Sequence, residues 1–264
     1  MTAPATAHRK PLFGPAARVF LRNWLVYRRI WYRSLFFGFL QPLMFLTAMG
    51  IGIGALITRN INGVSYLEFI GPGLLAAMAM QTATFESTYP IMNKIQWGRN
   101  YEAMLSTPLA TRNILAGELG WISFRLLSVA VIFLVVLTIF GITKTPWAIL
   151  APLVVVLTGL GFSANLIAFT TTQRNDVGFS AIFRFVINPL FMFSGTFFPL
   201  SQLPGPISVI AGMTPLYHGV ELTRGLILNQ LNPVAAPFHL VYLLAFAGIG
   251  LWLADRGLAR RMRS

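Results

Sequence analysis

The stretch from Asn93 to Thr111, NKIQWGRNYEAMLSTPLAT, does not belong in lipid, although long apolar segments flank it on both sides. It brings Lys94, Arg99 and Glu102 together with Trp97 and Tyr101, and Arg112 follows directly. Trp97, Tyr101, Met104 and Leu105 fall at i, i+4, i+7 and i+8, which predicts a short helix over 96–107 with these residues on one face. Arg99 and Glu102 would pair along another face, and Lys94 reads as a solvated edge. Pro108 lacks an amide proton and disfavours helix at Thr107, so the helix should stop there and the chain turn back. Such a helix suits a partner docking at the membrane surface; the plainer alternative is a solvated loop.

The surrounding chain sets the class. Of 264 residues, 56% are hydrophobic and 10% charged, and the mean hydropathy is +0.69. That balance is a polytopic membrane protein's rather than a soluble domain's. The net charge of +13 would suit nucleic acid, but the basic residues sit beside apolar segments, where lipid headgroups and the positive-inside rule account for them. The chain has no cysteine, which excludes disulfides, thiolate metal sites and iron–sulfur clusters. His8, His218 and His239 are scattered, and no metal is assigned to them.

Residues 1–13 are polar and expected to be disordered, and they do not read as a cleavable signal. At 100° per residue, Phe20, Trp24, Tyr27 and Trp31 gather on one side of a helix and Arg18, Arg22, Arg29 and Arg33 on the other, which predicts an interface helix lying in the membrane plane. Six apolar segments near the ~20 residues needed to cross a bilayer follow at about 34–57, 66–92, 113–142, 147–172, 177–199 and 233–254. This organisation is all-α: one membrane domain over 14–254 and a basic tail over 255–264. Seventeen of the 20 Lys and Arg residues fall on one side of the spans. The positive-inside rule therefore places both termini and the 93–111 stretch in the cytoplasm of a bacterial plasma membrane.

Between the fifth and sixth spans, prolines and glycines interrupt an apolar stretch too short to cross. An outer re-entrant hairpin of two short helices within 204–228 is expected, with Glu221 and Arg224 paired at i, i+3. The glycines at 50, 52, 54, 159 and 161 read as close helix contacts. Glu86, Glu118, Arg125 and Arg184 enter or border the spans. Charges there need partners, and Glu118 with Arg125, two turns apart on one face, could pair mutually or meet a substrate.

A phosphate loop is absent, because Lys10, Lys94 and Lys144 follow Arg, Asn and Thr rather than Gly. ATP hydrolysis by this chain is not expected. Ser163 and His239 resemble the pair of a six-span rhomboid-like serine protease, but they read as lying near opposite ends of their spans, beyond a base's reach of its nucleophile.

Several segments together resemble a known family. They are Phe39 to Phe45 (FLQPLMF), Glu68 to Leu74 (EFIGPGL), Met80 to Glu86 (MQTATFE), Tyr101 to Pro108 (YEAMLSTP), Gly117 to Leu119 (GEL), Phe193 to Pro199 (FSGTFFP) and Pro215 to Leu222 (PLYHGVEL). The chain resembles the type-2 membrane permeases of ATP-binding-cassette (ABC) exporters, most closely the nodulation-factor exporter permease branch. The resemblance implies two permease subunits face to face, with ATP and magnesium held on separate ATPase subunits. It implies that a coupling helix between spans two and three, here Trp97, Arg99, Tyr101 and Glu102, receives them. Cargo among such relatives is amphipathic or lipid-linked. A non-transporting membrane scaffold and a secondary transporter are the alternatives.

Overall fold

The computed structural model describes residues 14–29, 31–53, 61 and 63–263. The polar N-terminus, most of the loop after the first apolar segment, and Gly54 lie outside the described residues. Within them the chain is all-α, apart from one isolated bridge between Ile61 and Val64.

Helix α1 (Pro15–Tyr27) starts at a proline whose missing amide costs nothing at a first turn. The chain breaks at Arg28 and Arg29, and α2 (Trp31–Thr47) continues into π-helical turns at Ala48–Ile53. Helix α1 is therefore shorter than the aromatic spacing predicts: Trp31 opens the next helix rather than closing α1. Helix α3 (Tyr66–Ser87) begins with a capping box, in which Ser65 Oγ accepts from the Glu68 amide and Glu68 accepts from the Ser65 amide.

Then come α4 (Tyr89–Met92), a π-helical turn at Asn93–Trp97, α5 (Asn100–Leu105) and the long α6 (Thr111–Ile139). A 3₁₀ turn at Pro146–Leu150 leads into α7 (Ala151–Thr172). Helix α8 (Val177–Ile182), π-helical turns at Phe183–Ile187 and α9 (Asn188–Phe193) form one apolar rod. Helices α10 (Gly205–Gly212), α11 (Pro215–Leu228) and α12 (Ala235–Arg261) complete the chain.

Thr111–Ile139, Pro146–Thr172 and Ala235–Arg261 are each long and apolar enough to cross a membrane, and Val177–Phe193 is a shorter apolar helix. Helix α3 is different in kind. Its residues from Phe69 to Met80 are all buried, so it has no lipid-facing stripe and sits at the centre of the bundle. It packs against α6, α7 and α11, while α7 packs against α12.

Small residues make these approaches close. A Cβ on Gly73 would come 2.9 Å from the carbonyl oxygen of Thr196, and one on Gly250 would come 2.5 Å from the Asn165 amide. Gly159 and Gly161 lie against Leu126 and Phe246, and Gly50 against Leu67, whereas Gly52 has open space around it. Phe238, Val241, Leu244, Ile249 and Trp252 on α12 and Val131, Val135 and Ile139 on α6 point outward. The apolar exterior suits hydrocarbon rather than water.

The packing predicts a contrast within one helix. Gly250→Ala must push against Asn165 and Ala164 and should destabilise by about 1–3 kcal/mol. Gly248→Ala meets nothing within 4 Å and should be neutral or gain about 0.5–1 kcal/mol of helix propensity. Thermal unfolding in detergent separates the two, and equal melting would contradict the close α7–α12 packing.

Candidate functional site

The segment joining α3 to α6 is a corner rather than one helix. Gly98 ends the π-helical turn, and Arg99 adopts φ +46°, left-handed backbone that a non-glycine residue enters at some cost. The break rotates α5 out of register with the turn before it, so Trp97 and Tyr101 do not share the face that uninterrupted helical spacing predicts. Trp97 is 56% exposed and Tyr101 1%. Arg99 and Glu102 stay on the outside and form the expected i, i+3 pair at 4.0 Å. Tyr101, expected as a docking anchor, is instead a core residue, buried in the same apolar cluster as Ile95 and Ile114.

Behind this corner lies a charged node. Glu118 on α6 is 2% exposed. Lys94 Nζ donates to Glu118 Oε2 at 2.6 Å, and Asn23 Nδ2 from α1 donates to the same oxygen at 3.0 Å. Lys94 Nζ also donates to Asn23 Oδ1 at 3.2 Å. Glu118 Oε1 has no hydrogen-bond partner among the described residues. Burial pushes the Tyr101 hydroxyl well above the ordinary phenol range, and the negative charge of Glu118 adds to it.

One carboxylate thus joins α1, the Lys94 turn and α6. Lys94 is not a solvated edge, because the apolar surroundings of Glu118 demand a cation. Asn23 went unread in the sequence, yet a polar residue four before Tyr27 on an aromatic face was its signal.

Glu118 and Arg125, for which mutual pairing is one of two readings of the sequence, do not pair with each other. Arg125 Nε instead meets Glu86 Oε1 at 3.2 Å, and its guanidinium stacks 4.9 Å from the Tyr27 ring. This second pair borders a cavity of about 380 Å³ between α3, α6 and the α8–α9 rod. Met78, Phe85, Phe183 and Ile187 make its apolar wall, and Gln81, Thr82 and Asn188 supply neutral polar groups. Arg184, one residue from Phe183, is exposed and has no ion pair among the described residues.

Both termini of the described chain gather near the corner. Arg112 bonds Asp255 at 3.1 Å and Arg261 donates to Gln96 at 3.4 Å, so the end of α12 meets the beginning of α6 and the 93–97 turn. At the far end, Arg224 of α11 is buried. It donates to Glu221 at 2.8 Å, to the Gly195 carbonyl at 2.7 Å and to the Phe69 carbonyl at 3.3 Å, and lies 3.9 Å over the Phe69 ring. Arg224 therefore forms the expected pair with Glu221 and also holds α11 against α3 through the Phe69 carbonyl and ring.

The aromatic face of α1 is used mainly within the protein. Phe20 and Tyr27 make edge-to-face contacts with Trp121 and Phe124 of α6, and Trp24 meets Phe124 at 5.3 Å. Ser163 and His239 lie apart. Asn165 donates to the Phe246 carbonyl, which sets Ser163 near the level of Phe246, about 10 Å along α12 from His239. His239 meets His218 at 2.6 Å instead, so no serine–histidine pair exists here. Among the described residues no group of three or more His, Cys, Asp or Glu could hold a metal.

The ABC-2 type transporter family matches residues 17–228. The chain belongs to that family. Membership makes it the membrane permease component of an ABC transporter, and the corner, the node and the hairpin all fall within the matched residues. Among its relatives, Nodulation protein J of Rhizobium meliloti (strain 1021) is 30% identical over 244 residues, covering 92% of each chain. Nodulation protein J of Rhizobium leguminosarum bv. viciae is 32% identical over 217 residues, 82% of this chain and 83% of that one. The inner membrane transport permease YadH of Escherichia coli (strain K12) is 28% identical over 245 residues, 90% of this chain and 93% of the relative.

For this ABC-2 chain the node predicts that Lys94→Ala, which strands a buried carboxylate, costs about 3–5 kcal/mol. Adding Glu118→Gln should recover most of it. Tyr101→Ala should cost about 3 kcal/mol or more by emptying a core site. Trp97→Ala should stay within about 0.5 kcal/mol. Unfolding in detergent measures all four, and unchanged melting of Lys94→Ala would deny the node its role.

Proposed function

We propose that this chain is the permease subunit of an ABC exporter for an amphipathic or lipid-linked substrate, powered by a separate ATPase that docks on Trp97, Arg99 and Glu102. The observation that carries the reading is the corner at Gly98 and Arg99: it presents an exposed tryptophan and a charged pair on one side while the Lys94–Glu118–Asn23 node anchors the other. A push on Trp97 reaches α6 and α1 through bonded, buried groups rather than through a loose loop. Tyr101 acts by positioning this mount rather than by touching the ATPase. ATP and magnesium belong to the partner, and hydrolysis belongs there too.

In this reading the chain crosses a bacterial plasma membrane six times, through α2 with its π-helical end, α3, α6, α7, the α8–α9 rod and α12. The corner and both termini face the cytoplasm, supported by the clustering of basic residues at that end. Helix α1 lies at the inner lipid surface, and α10 and α11 dip into the outer leaflet as a re-entrant hairpin that Arg224 holds against α3.

The cavity beside Glu86 and Arg125 suits the head of an amphipath, since it joins neutral polar groups to an apolar wall. Arg184 stands about 10 Å along the α8–α9 rod with no partner among the described residues, and a cation at such depth suits a watered path or a second permease subunit better than hydrocarbon.

Trp97→Ala should weaken binding of the ATPase subunit about 30-fold, which corresponds to about 2 kcal/mol for an exposed aromatic anchor. Titrating the purified partner against the permease in nanodiscs measures this. The permease alone should hydrolyse no ATP. Equal affinity for Trp97→Ala and the parent would remove the corner as the docking surface, and hydrolysis by the isolated chain would remove the division of labour.

A further inference from the structure

A second cavity, of about 390 Å³, opens where the break between α1 and α2 meets α6. Trp24, Tyr27, Trp31 and Phe124 wall it, Ser128 closes it and Arg28 stands at its rim. Its interior is neutral and apolar. The Ser128 hydroxyl is already spent on the Phe124 carbonyl at 2.7 Å, and the Arg125 guanidinium against the Tyr27 ring has its charge answered by Glu86.

The rim is different. The sequence holds only seven acidic residues, and six of them are engaged: Glu68 with Lys144, Glu86 with Arg125, Glu102 with Arg99, Glu118 with Lys94, Glu221 with Arg224 and Asp255 with Arg112. Among the described residues Arg28 and its neighbour Arg29 have no carboxylate partner, and both are exposed. With no ion pair among the described residues to answer them, they are open to an anion from outside the chain.

We propose that this cavity is a discrete binding site for an anionic glycerophospholipid, with one acyl chain lying against the wall formed by Trp24, Trp31 and Phe124 and the phosphate on Arg28. Each half of the site selects. The aromatic walls exclude a hydrated free anion and accept a hydrocarbon chain, while the unanswered arginines discriminate a negatively charged head from a zwitterionic one. Leu25 and Val26, on the neighbouring surface of α1, are 52% and 60% exposed, so the pocket opens onto apolar surface from which a lipid can enter. A bound lipid would fill the joint between α1 and α2, wedged against α6 two turns beyond Glu118. The site is independent of what the permease carries.

The test uses the full chain extracted in mild detergent, exposed to defined mixtures of phosphatidylglycerol and phosphatidylcholine, with lipid retention read by native mass spectrometry. The parent should retain phosphatidylglycerol in preference to phosphatidylcholine. Arg28→Ala should reduce that retention tenfold or more without altering thermal unfolding, because Arg28 is exposed. Trp24→Ala with Trp31→Ala should reduce retention of both lipids. Arg256→Ala, at a cation that stacks on Trp252, should change nothing. Soluble glycerol 3-phosphate should not compete. Equal retention of the two lipids by the parent, undiminished retention in Arg28→Ala, or displacement by glycerol 3-phosphate would each overturn the proposal, the last by revealing an anion site without a lipid pocket.

Discussion

A carboxylate buried near the start of an apolar helix cannot stand alone, and the cytoplasmic architecture proposed for this permease follows from that constraint on Glu118. Its charge must be met by a cation and by hydrogen-bond donors, because the low-polarity surroundings offer no water to replace them. Lys94 and Asn23 meet it, and each comes from a different segment. The requirement to bring them together sets where α1 crosses α6 and how the chain turns after α3. Arg99 then takes up left-handed backbone so that α5 can continue with Tyr101 inward and Trp97 outward.

The same logic operates at the other end of the bundle with the signs reversed. Arg224 is a buried cation, and it is satisfied by one carboxylate, two backbone carbonyls and an aromatic face. Those carbonyls belong to α3 and to the turn after α9, so Arg224 holds the hairpin against the central helix. Gly73 permits the approach, since a side chain there would meet the Thr196 backbone and the guanidinium itself. Arg224 at the Phe69 end and the Glu86–Arg125 pair at the other end thus bracket α3, whose wholly apolar middle packs without direction-specific bonds. Such packing alone would leave rotation and sliding of α3 poorly determined, and the clamps at either end supply the register.

Much of this was legible in residues alone. The all-helical character, the apolar helices at 111–139, 146–172, 177–193 and 235–261, the Glu221–Arg224 pair and the Arg99–Glu102 pair all follow from local spacing, because each depends on neighbours within one or two helical turns. The family likeness likewise rests on contiguous motifs. Less legible were the partners of Glu118 and Arg125. Two charges seven apart on one helix invite a mutual pairing, but their side chains project to different neighbours, and only the placement of α3 and its continuation beside α6 offers each a closer counter-charge.

By itself, then, the sequence determined a helical membrane protein, where its charges accumulate and which stretch stands outside the apolar spans, since composition and periodicity are properties of the chain. Tertiary structure alone decided which face of the corner is available and which is spent. Helical periodicity assumes an unbroken helix, and the left-handed turn at Arg99 cancels it between Trp97 and Tyr101. What makes that turn tolerable is the burial of Tyr101 beside a paired Glu118, a balance between segments that no local pattern encodes.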